Sequence, residues 1–541
     1  MAYQKGEEVE VSIPEQMNVA SILIDEKASG DLSDRKIIHF VGDPPKSMPM
    51  DMTLGELRNL VNKTGNALKT LGLEVEDRVL MIIQDSPEFM AAFLGAIKMG
   101  AVPVPVNTML GQQQYQYMLD NSRARALVVD GGIAPIIEEI RGELRFLKHV
   151  IVIGEAKEGQ VSYHDMVNSA SPQLEAVEMN KDDVAFWLYS SGTTGAPKGV
   201  VHLQHDMLYC ADTYFKHTLK ISEDDTIFSI SKLFFAYGLG NSLYSPLRLG
   251  ASIVLYPGTP EEDKLFEIIE KYRVTVFYAV PRVYARMVAM EGVENKYDLS
   301  SLRFCVSGGE ALPPAIYEQW REKFGLELLD CIGSTEICHC FIANPPGRSK
   351  AGTSGVAVPG YELKTVDDDD NDTPVDDAGR LFVKGDSIAA SYWNQHEKSK
   401  QTFVGEWINT GDLYIQDKDG YWAHAGRHDD MMRNRGLWVS PVEVENAVAA
   451  HPAVLEVAVA QGFTRDRLET IKAFVILRDG HKPSSQLKAE LSGFLRGNGL
   501  SGYKIPSSFE FVDELPKTAT GKVQRYVLRH LERERMEASQ K

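Results

Sequence analysis

VAFWLYSSGTTGAPKG, residues 184–199, is the stretch on which the fold reading turns. Its first six residues are apolar and β-prone, a length that suits a buried strand. The remainder combines Gly192, Gly195 and Gly199 with the hydroxyls of Ser190, Ser191, Thr193 and Thr194 and the ammonium of Lys198. Glycines let a turning backbone bring its N–H groups up to an oxyanion, and the hydroxyls and the lysine add donors and charge. The segment therefore reads as a phosphate loop lying between a strand and an amphipathic stretch over residues 202–217. It is not the Walker loop, which requires Ser or Thr after the lysine; here Gly199 follows Lys198. The other reading is a flexible linker, but linkers seldom carry a lysine after Gly-x-Pro between two patterned segments.

A chain of 541 residues is too long for one core and is expected to form roughly two to four domains. The net charge of −19 argues against nucleic acid or an anionic membrane as partner. Anionic ligands must then be held by local basic residues. Five cysteines, Cys210, Cys305, Cys331, Cys338 and Cys340, are too few and too odd in number for a disulfide framework, which points to a reducing compartment. The opening MAYQKGEEVEVS lacks the basic flank and apolar core of a signal peptide, and apolar runs of about 18 residues do not occur. A cytoplasmic enzyme is expected.

From about Thr53 to Asp130 helical patterns alternate with the short apolar runs RVLMII, AVPVPV and ALVVD, and the alternation resumes from Val184 to about Cys331. This reads as an α/β fold with two sheet lobes. From Gly352 to Ala423 short strands and Gly/Asp turns indicate a small β subdomain. Asp367–Asp370 lies in its first hairpin and lacks the alternating ligands, Gly turn and closing Glu of a Ca²⁺ loop, so it reads as a solvated turn. After Gly426 the pattern changes again: Ser440-Pro441-Val442-Glu443 is a capping-box start, followed by strands, a helix, a strand and a closing helix. These make a small α+β C-terminal domain.

Four further segments stand in order after the phosphate loop: Gly333-Ser334-Thr335-Glu336, Trp407 to Asp412 (WINTGD, read as a Thr-Gly-Asp turn before a hairpin), Gly426 to Asp430 (GRHDD) and Pro516 to Lys522 (PKTATGK). The ordered set resembles the adenylate-forming superfamily of acyl-CoA synthetases, adenylation domains and luciferases, over nearly the whole chain. Residues 232–247, 331–341, 405–414, 436–445 and 513–525 are most similar to the benzoate–CoA ligase group. The resemblance implies an AMP-binding domain over 1–427, a hinge at 428–430 and a mobile C-terminal domain over 431–541.

It also implies a two-step reaction with ATP, Mg²⁺ and coenzyme A. Lys522 would bridge the carboxylate and the α-phosphate, Glu336 would hold Mg²⁺, and Thr335 would donate to phosphate. Ser190, Ser191, Gly192, Thr193, Thr194, Gly195 and Lys198 would cradle phosphates, with Gly333 and Ser334 beside them. Gly308, Gly309 and Glu310 would face the adenine, Asp412 and Arg427 the ribose, and Asp330 would belong to the same nucleotide site. The acid would lie among Phe235, Ala236, Tyr237, Gly238, Gly308, Ile332, Gly333 and His339. Asp429 would be the pivot, with Arg433, Arg435, Gly436 and Trp438 along the coenzyme A path. Arg433 and Arg435 depart from the group, where a lysine and a small residue are usual. Gln204 stands where histidine is common, and neither of its neighbours His202 and His205 receives a catalytic role.

Phe235 takes the position where peptide-synthetase domains place an aspartate for the substrate ammonium, so an aryl acid such as benzoate is favoured. His339 between Cys338 and Cys340 has poor spacing for zinc. Other readings are the same chemistry on a small aliphatic, alicyclic, hydroxy or aminobenzoic acid, a free-standing adenylation enzyme that loads a carrier protein, or a binding protein with a dead site. The expected assembly is a monomer or homodimer.

Overall fold

The computed structural model describes residues 1–541 except 31, 46, 191–195, 435–436, 465–467, 479, 518–522 and 539–541, and the side chains of Asp429, Trp438 and Ala538. Two α/β lobes form the bulk of the chain, as the alternation predicts. In the first, Val102–Pro105, Arg78–Ile82, Ala126–Asp130, His149–Ile153 and Val161–Ser162 lie side by side, all parallel. Leu54–Thr70 flanks this lobe and starts at a complete capping box: Glu56 N donates to Thr53 Oγ1 at 3.1 Å, and Thr53 N to the Glu56 carboxylate at 2.7 Å.

The second lobe holds a nine-stranded sheet. Its centre, Leu328–Gly333, Phe304–Ser307, Val276–Ala279, Thr226–Ser229, Ser252–Leu255 and Lys36–Phe40, is parallel, and antiparallel strands close both edges. The central strands read as continuous apolar runs because both faces are covered, and Ile227, Val276, Phe277 and Val306 are fully buried. Carboxyl ends of such strands are where ligands sit in open α/β sheets.

Two expectations of local structure are corrected. Residues 202–217 are not amphipathic: Met207, Leu208, Cys210, Ala211, Tyr214 and Phe215 are all fully buried. The polar residues that mimicked a solvent face point inward to partners, Asp212 to Arg248 at 2.9 Å and Asp206 to His202 at 2.6 Å. WINTGD is likewise not a turn before a hairpin. Trp407–Gln416 is one continuous strand, and Thr410, Gly411 and Asp412 bulge out where the partner strand jumps from Arg380↔Leu413 to Phe382↔Asn409. Gly411 makes the bulge possible at φ 73°.

The β subdomain is a six-stranded sheet that also takes in the N-terminal Tyr3–Lys5, paired with Glu362–Val366. A short helical turn, His428–Asp430, leads to the C-terminal α+β unit. There Val454–Phe463, Glu469–Leu477 and Ser508–Phe511 form a sheet, with Pro441–Ala449, Ser485–Gly497 and Arg525–Ala538 as helices. The Ser440 box is half formed: Ser440 Oγ accepts from Glu443 N at 3.3 Å, while the Glu443 carboxylate takes the Lys504 ammonium at 2.6 Å instead of reaching back. Asp430 joins the closing helix to this junction through Arg529 at 2.8 Å and Arg525 at 3.4 Å.

Candidate active site

The loop read as phosphate-binding connects two antiparallel strands, Val184–Ser190 and Lys198–Leu203, with Ser190 opposite Lys198. It is therefore a hairpin connection and not a strand-to-helix turn. Ser191, Gly192, Thr193, Thr194 and Gly195 lie outside the described residues, as do Arg435, Gly436 and Lys522. The segment carrying Lys522 is bracketed by a bridge between Lys517 and Val523, and Gln524 N donates to Pro516 O at 2.8 Å.

Both ends of the hairpin meet Glu336. Ser190 Oγ donates to Glu336 Oε1 at 3.0 Å, Tyr392 Oη donates to the same oxygen at 2.9 Å, and the Lys198 ammonium stands 3.8 Å from it. Lys198 also reaches Tyr392 Oη at 3.1 Å and lies 4.2 Å from the centre of its ring. Burial lowers the Lys198 pKa, and the Glu336 carboxylate opposes that shift. Burial raises the Tyr392 phenol, as does the Glu336 charge. Tyr392 escapes a sequence reading. It comes from the short strand Ser391–Tyr392, brought in by pairing with Val200 and Val201, and it belongs to no local pattern.

Gly333, Ser334, Thr335 and Glu336 follow the end of Leu328–Gly333 as expected, with 335–337 forming a helical turn. A Cβ on Gly333 would lie 2.5 Å from His339 O, so glycine is needed for this close approach. Cys338 then stands at φ 69°, ψ −45°, and His339 N donates to Ile337 O at 2.9 Å. This is the rare, strained form of the three-residue γ-turn, and it turns His339 inward.

His339 is buried in a cage of rings: Phe215 at 4.8 Å between centroids, Tyr214 at 5.3 Å and Tyr237 at 5.5 Å. Its Nε2 is 3.3 Å from Tyr237 O, and Nδ1 has no hydrogen-bond partner among the described residues. Burial drives its pKa down to about 3, so it is neutral at pH 7. Tyr237 in turn lies on Gly308, where a Cβ would meet its ring at 2.8 Å. Phe235, Ala236, Tyr237 and Ile332 are each partly exposed, while Gly238 is buried against the carbonyls of Ser231 and Lys232. Of the expected acid-pocket residues, Tyr237, Gly308 and His339 are in direct contact. Gly309 turns at φ 89° beside Glu310.

Asp330 is buried, its Oδ1 has no hydrogen-bond partner among the described residues, and burial raises its pKa well above the carboxylate range. Asp412 and Arg427 pair across the Trp407–Gln416 and Trp422–Arg427 strands, Arg427 NH1 donating to Asp412 Oδ1 at 3.1 Å. The Asp412 charge raises the guanidinium pKa against the effect of burial. Asp429 lies in the turn His428–Asp430, and Arg433 and Trp438 oppose each other in the hairpin formed by Met432–Asn434 and Leu437–Val439.

Residues 27–393 match the AMP-binding enzyme family, and residues 443–522 match the AMP-binding enzyme C-terminal domain. The chain belongs to the AMP-binding enzyme family. As an AMP-binding enzyme it is 43% identical to a benzoate–CoA ligase of Thauera aromatica, over 96% of this chain and 97% of the relative. Among solved structures it resembles an anthranilate–CoA ligase in complex with anthranoyl-AMP, with TM-score 0.91, 40% identity and coverage of 97% and 99%. A benzoate CoA ligase from Burkholderia xenovorans LB400 matches with TM-score 0.86, 38% identity and coverage of 95% and 100%. The superfamily resemblance and the α/β fold read from the sequence are borne out. No helix among the described residues is long and apolar enough to cross a membrane.

Proposed function

We propose that the protein is an AMP-forming carboxylate–CoA ligase that activates a small aromatic acid, benzoate or a close relative. A carboxylate oxygen attacks the α-phosphorus of ATP and pyrophosphate leaves; the thiol of coenzyme A then attacks the acyl carbon and AMP leaves. In this reading Phe235, Ala236, Tyr237 and Ile332, each partly exposed, form an apolar wall for the substrate, and the support for it is the neutral His339 stacked on Tyr237 within its cage of rings. A flat apolar ring fits such a wall, and a substrate ammonium finds no carboxylate at Phe235. The similar benzoate– and anthranilate–CoA ligases support the same reading.

In the first step an anion approaches a polyanion, so fixed positive charge at the reacting phosphate is the main requirement. Lys198 at the end of its strand and Lys522 on the segment before the closing helix supply it in this reading. Ser190, the loop 191–195, Ser334 and Thr335 donate to phosphate oxygens, Asp412 accepts from the ribose hydroxyls with Arg427 beside it, and Gly308, Gly309, Glu310 and Asp330 bound the adenine. Glu336 fits a magnesium ion: a single carboxylate completed by ATP oxygens and water suits Mg²⁺ better than a dedicated protein cage, and groups of three or more His, Cys, Asp or Glu side chains that could form such a cage are absent among the described residues. When bound there, Mg²⁺ supplies charge stabilisation at the phosphates. For the second step residues 431–541 would turn about 428–430, with Asp429 as pivot, and bring Arg433, Arg435, Gly436 and Trp438 to the thiol path. A panel of carboxylic acids scored for AMP release with and without coenzyme A tests the reading. Preference for acetate, or adenylation without thioester formation, would overturn it.

A further inference from the structure

Asp206 is a fully buried carboxylate with a histidine at each oxygen. His202 Nδ1 stands 2.6 Å from Oδ2, and His205 Nε2 stands 3.2 Å from Oδ1. Leu203 N also donates to Oδ2, at 3.1 Å. Oδ2 thus has two nitrogen neighbours, whereas Oδ1 has no hydrogen-bond partner among the described residues, and His205 Nε2 makes its hydrogen bond to the carbonyl oxygen of Asp386. The second nitrogens are equally constrained. His202 Nε2 is 2.7 Å from the carbonyl oxygen of Thr335, while His205 Nδ1 and Nε2 lie 2.9 Å and 2.8 Å from the carbonyls of Lys181 and Asp386. Asp182 Oδ1 faces His205 Nδ1 from the same loop at 3.5 Å. Carbonyl oxygens only accept, so His202 must carry a proton on Nε2 to bond Thr335, and the 2.6 Å contact of Nδ1 with Asp206 Oδ2 needs a second proton between those two atoms. The ring is further held by stacking on Phe186, 4.9 Å between centroids at 14°.

His202 sits in Lys198–Leu203, the strand that begins with Lys198, and the carbonyl it holds belongs to the residue before Glu336. We propose that His202, oriented by Asp206, is a positioning residue for adenylation: it ties the Glu336 turn to the strand of Lys198 and so sets the 3.8 Å approach of those two charges. The inference rests on the ligase reading above, because Glu336 and Lys198 matter there in the first half-reaction. Among the described residues the side-chain contacts of His202 are with Phe186, Asp206 and Thr335, outside the acid pocket residues. The loss should therefore fall on one step.

The test uses the full-length protein. In His202→Ala the rate of acid-dependent pyrophosphate exchange should fall about 10- to 100-fold, the range expected when a reacting group is misplaced by about 1 Å. The KM for benzoate should change less than about twofold, and thiolation of supplied benzoyl-AMP less than about threefold. His202→Gln, whose amide N–H can donate to the Thr335 carbonyl, should recover at least about fivefold of the lost rate. Equal losses in both half-reactions, an unchanged exchange rate or failure of the glutamine variant to recover would each overturn the proposal. If His202→Ala does not fold, ¹⁵N spectra of the histidine-labelled wild-type protein decide: His202 Nε2 must be in the protonated form, and an unprotonated Nε2 refutes it. A wild-type protein that adenylates no acid in the panel would instead refute the ligase reading, while the spectrum would still report on the pair.

Discussion

Asp412 and Arg427 face one another across a strand pair that Gly411 distorts, with 3.1 Å between the guanidinium and Asp412 Oδ1 and only 3.0 Å between Arg427 NH2 and where a Cβ on Gly411 would stand. The bulge and the pair are thus one feature: glycine gives the backbone its left-handed step and leaves room for the guanidinium. If this pair binds ribose, Asp412→Asn should raise the KM for ATP about tenfold or more, because a charge-assisted bond contributes about 1.5–3 kcal/mol. The KM for the aromatic acid should hold. A variant with unchanged ATP dependence would remove Asp412 from the nucleotide site.

Tyr392 gives a sharper test of the Glu336 cluster. Tyr392→Phe keeps the ring beneath Lys198 and deletes the hydroxyl that donates to Glu336 and accepts from Lys198. Loss of these hydrogen bonds to charged groups predicts a fall of about tenfold or more in adenylation. Wild-type exchange rates in this variant would show that the contact has no part in the reaction.

Much of the scaffold was legible because it is written in local pattern, above all the apolar runs of the parallel strands. The errors arose where a distant partner decides. The polar side of residues 202–217 is turned inward at Asp212 by Arg248, 36 residues along the chain, which no local spacing shows. Tyr392 joins the site only through pairing with Val200, and Tyr3–Lys5 joins the β subdomain at Lys364, far along the chain. Cys338 at positive φ is invisible for a related reason: glycine signals such a backbone, cysteine does not.

That γ-turn makes a prediction of its own. Cys338→Gly removes the steric penalty at φ 69° and should leave stability within about 1 kcal/mol of the parent, since the lost contact with Tyr244 is offset by relief of strain. Cys338→Val puts a β-branched side chain at the same backbone and should cost about 1–3 kcal/mol. Melting temperatures of the two variants in the same buffer check the order, and a valine variant as stable as the glycine one would deny the strain.

The neutral state of His339 sets a dependence on pH. Its pKa in the folded protein is about 3, below the ordinary 6.5, so between those values the unfolded chain binds a proton that the folded one excludes. Stability from this residue is therefore fully present above about pH 6.5 and declines as pH falls toward 3. His339→Phe should lose less stability than the wild type over that window. Parallel curves of melting temperature against pH would show that His339 is protonated without cost.

Gly308 offers the most direct reading of the acid pocket. A Cβ there would lie 2.8 Å, 2.9 Å and 3.0 Å from three atoms of the Tyr237 phenol, below any ordinary carbon contact. Tyr237 cannot retreat freely, because Tyr278 at 6.1 Å and His339 at 5.5 Å pack against it and its hydroxyl meets Val306 O at 3.4 Å. Gly308→Ala must therefore displace the Tyr237 ring within the space that the proposed reading gives to the acid. An aromatic acid that uses this space should lose at least about tenfold in kcat/KM, about 1.4 kcal/mol, whereas acetate, which fills little of it, should lose much less. The measurement is kcat/KM for benzoate and acetate at saturating ATP and coenzyme A on both proteins. Equal losses for the two acids would mean that the alanine disturbs the nucleotide through the neighbouring Gly309 bend, and that the ring-binding wall lies elsewhere.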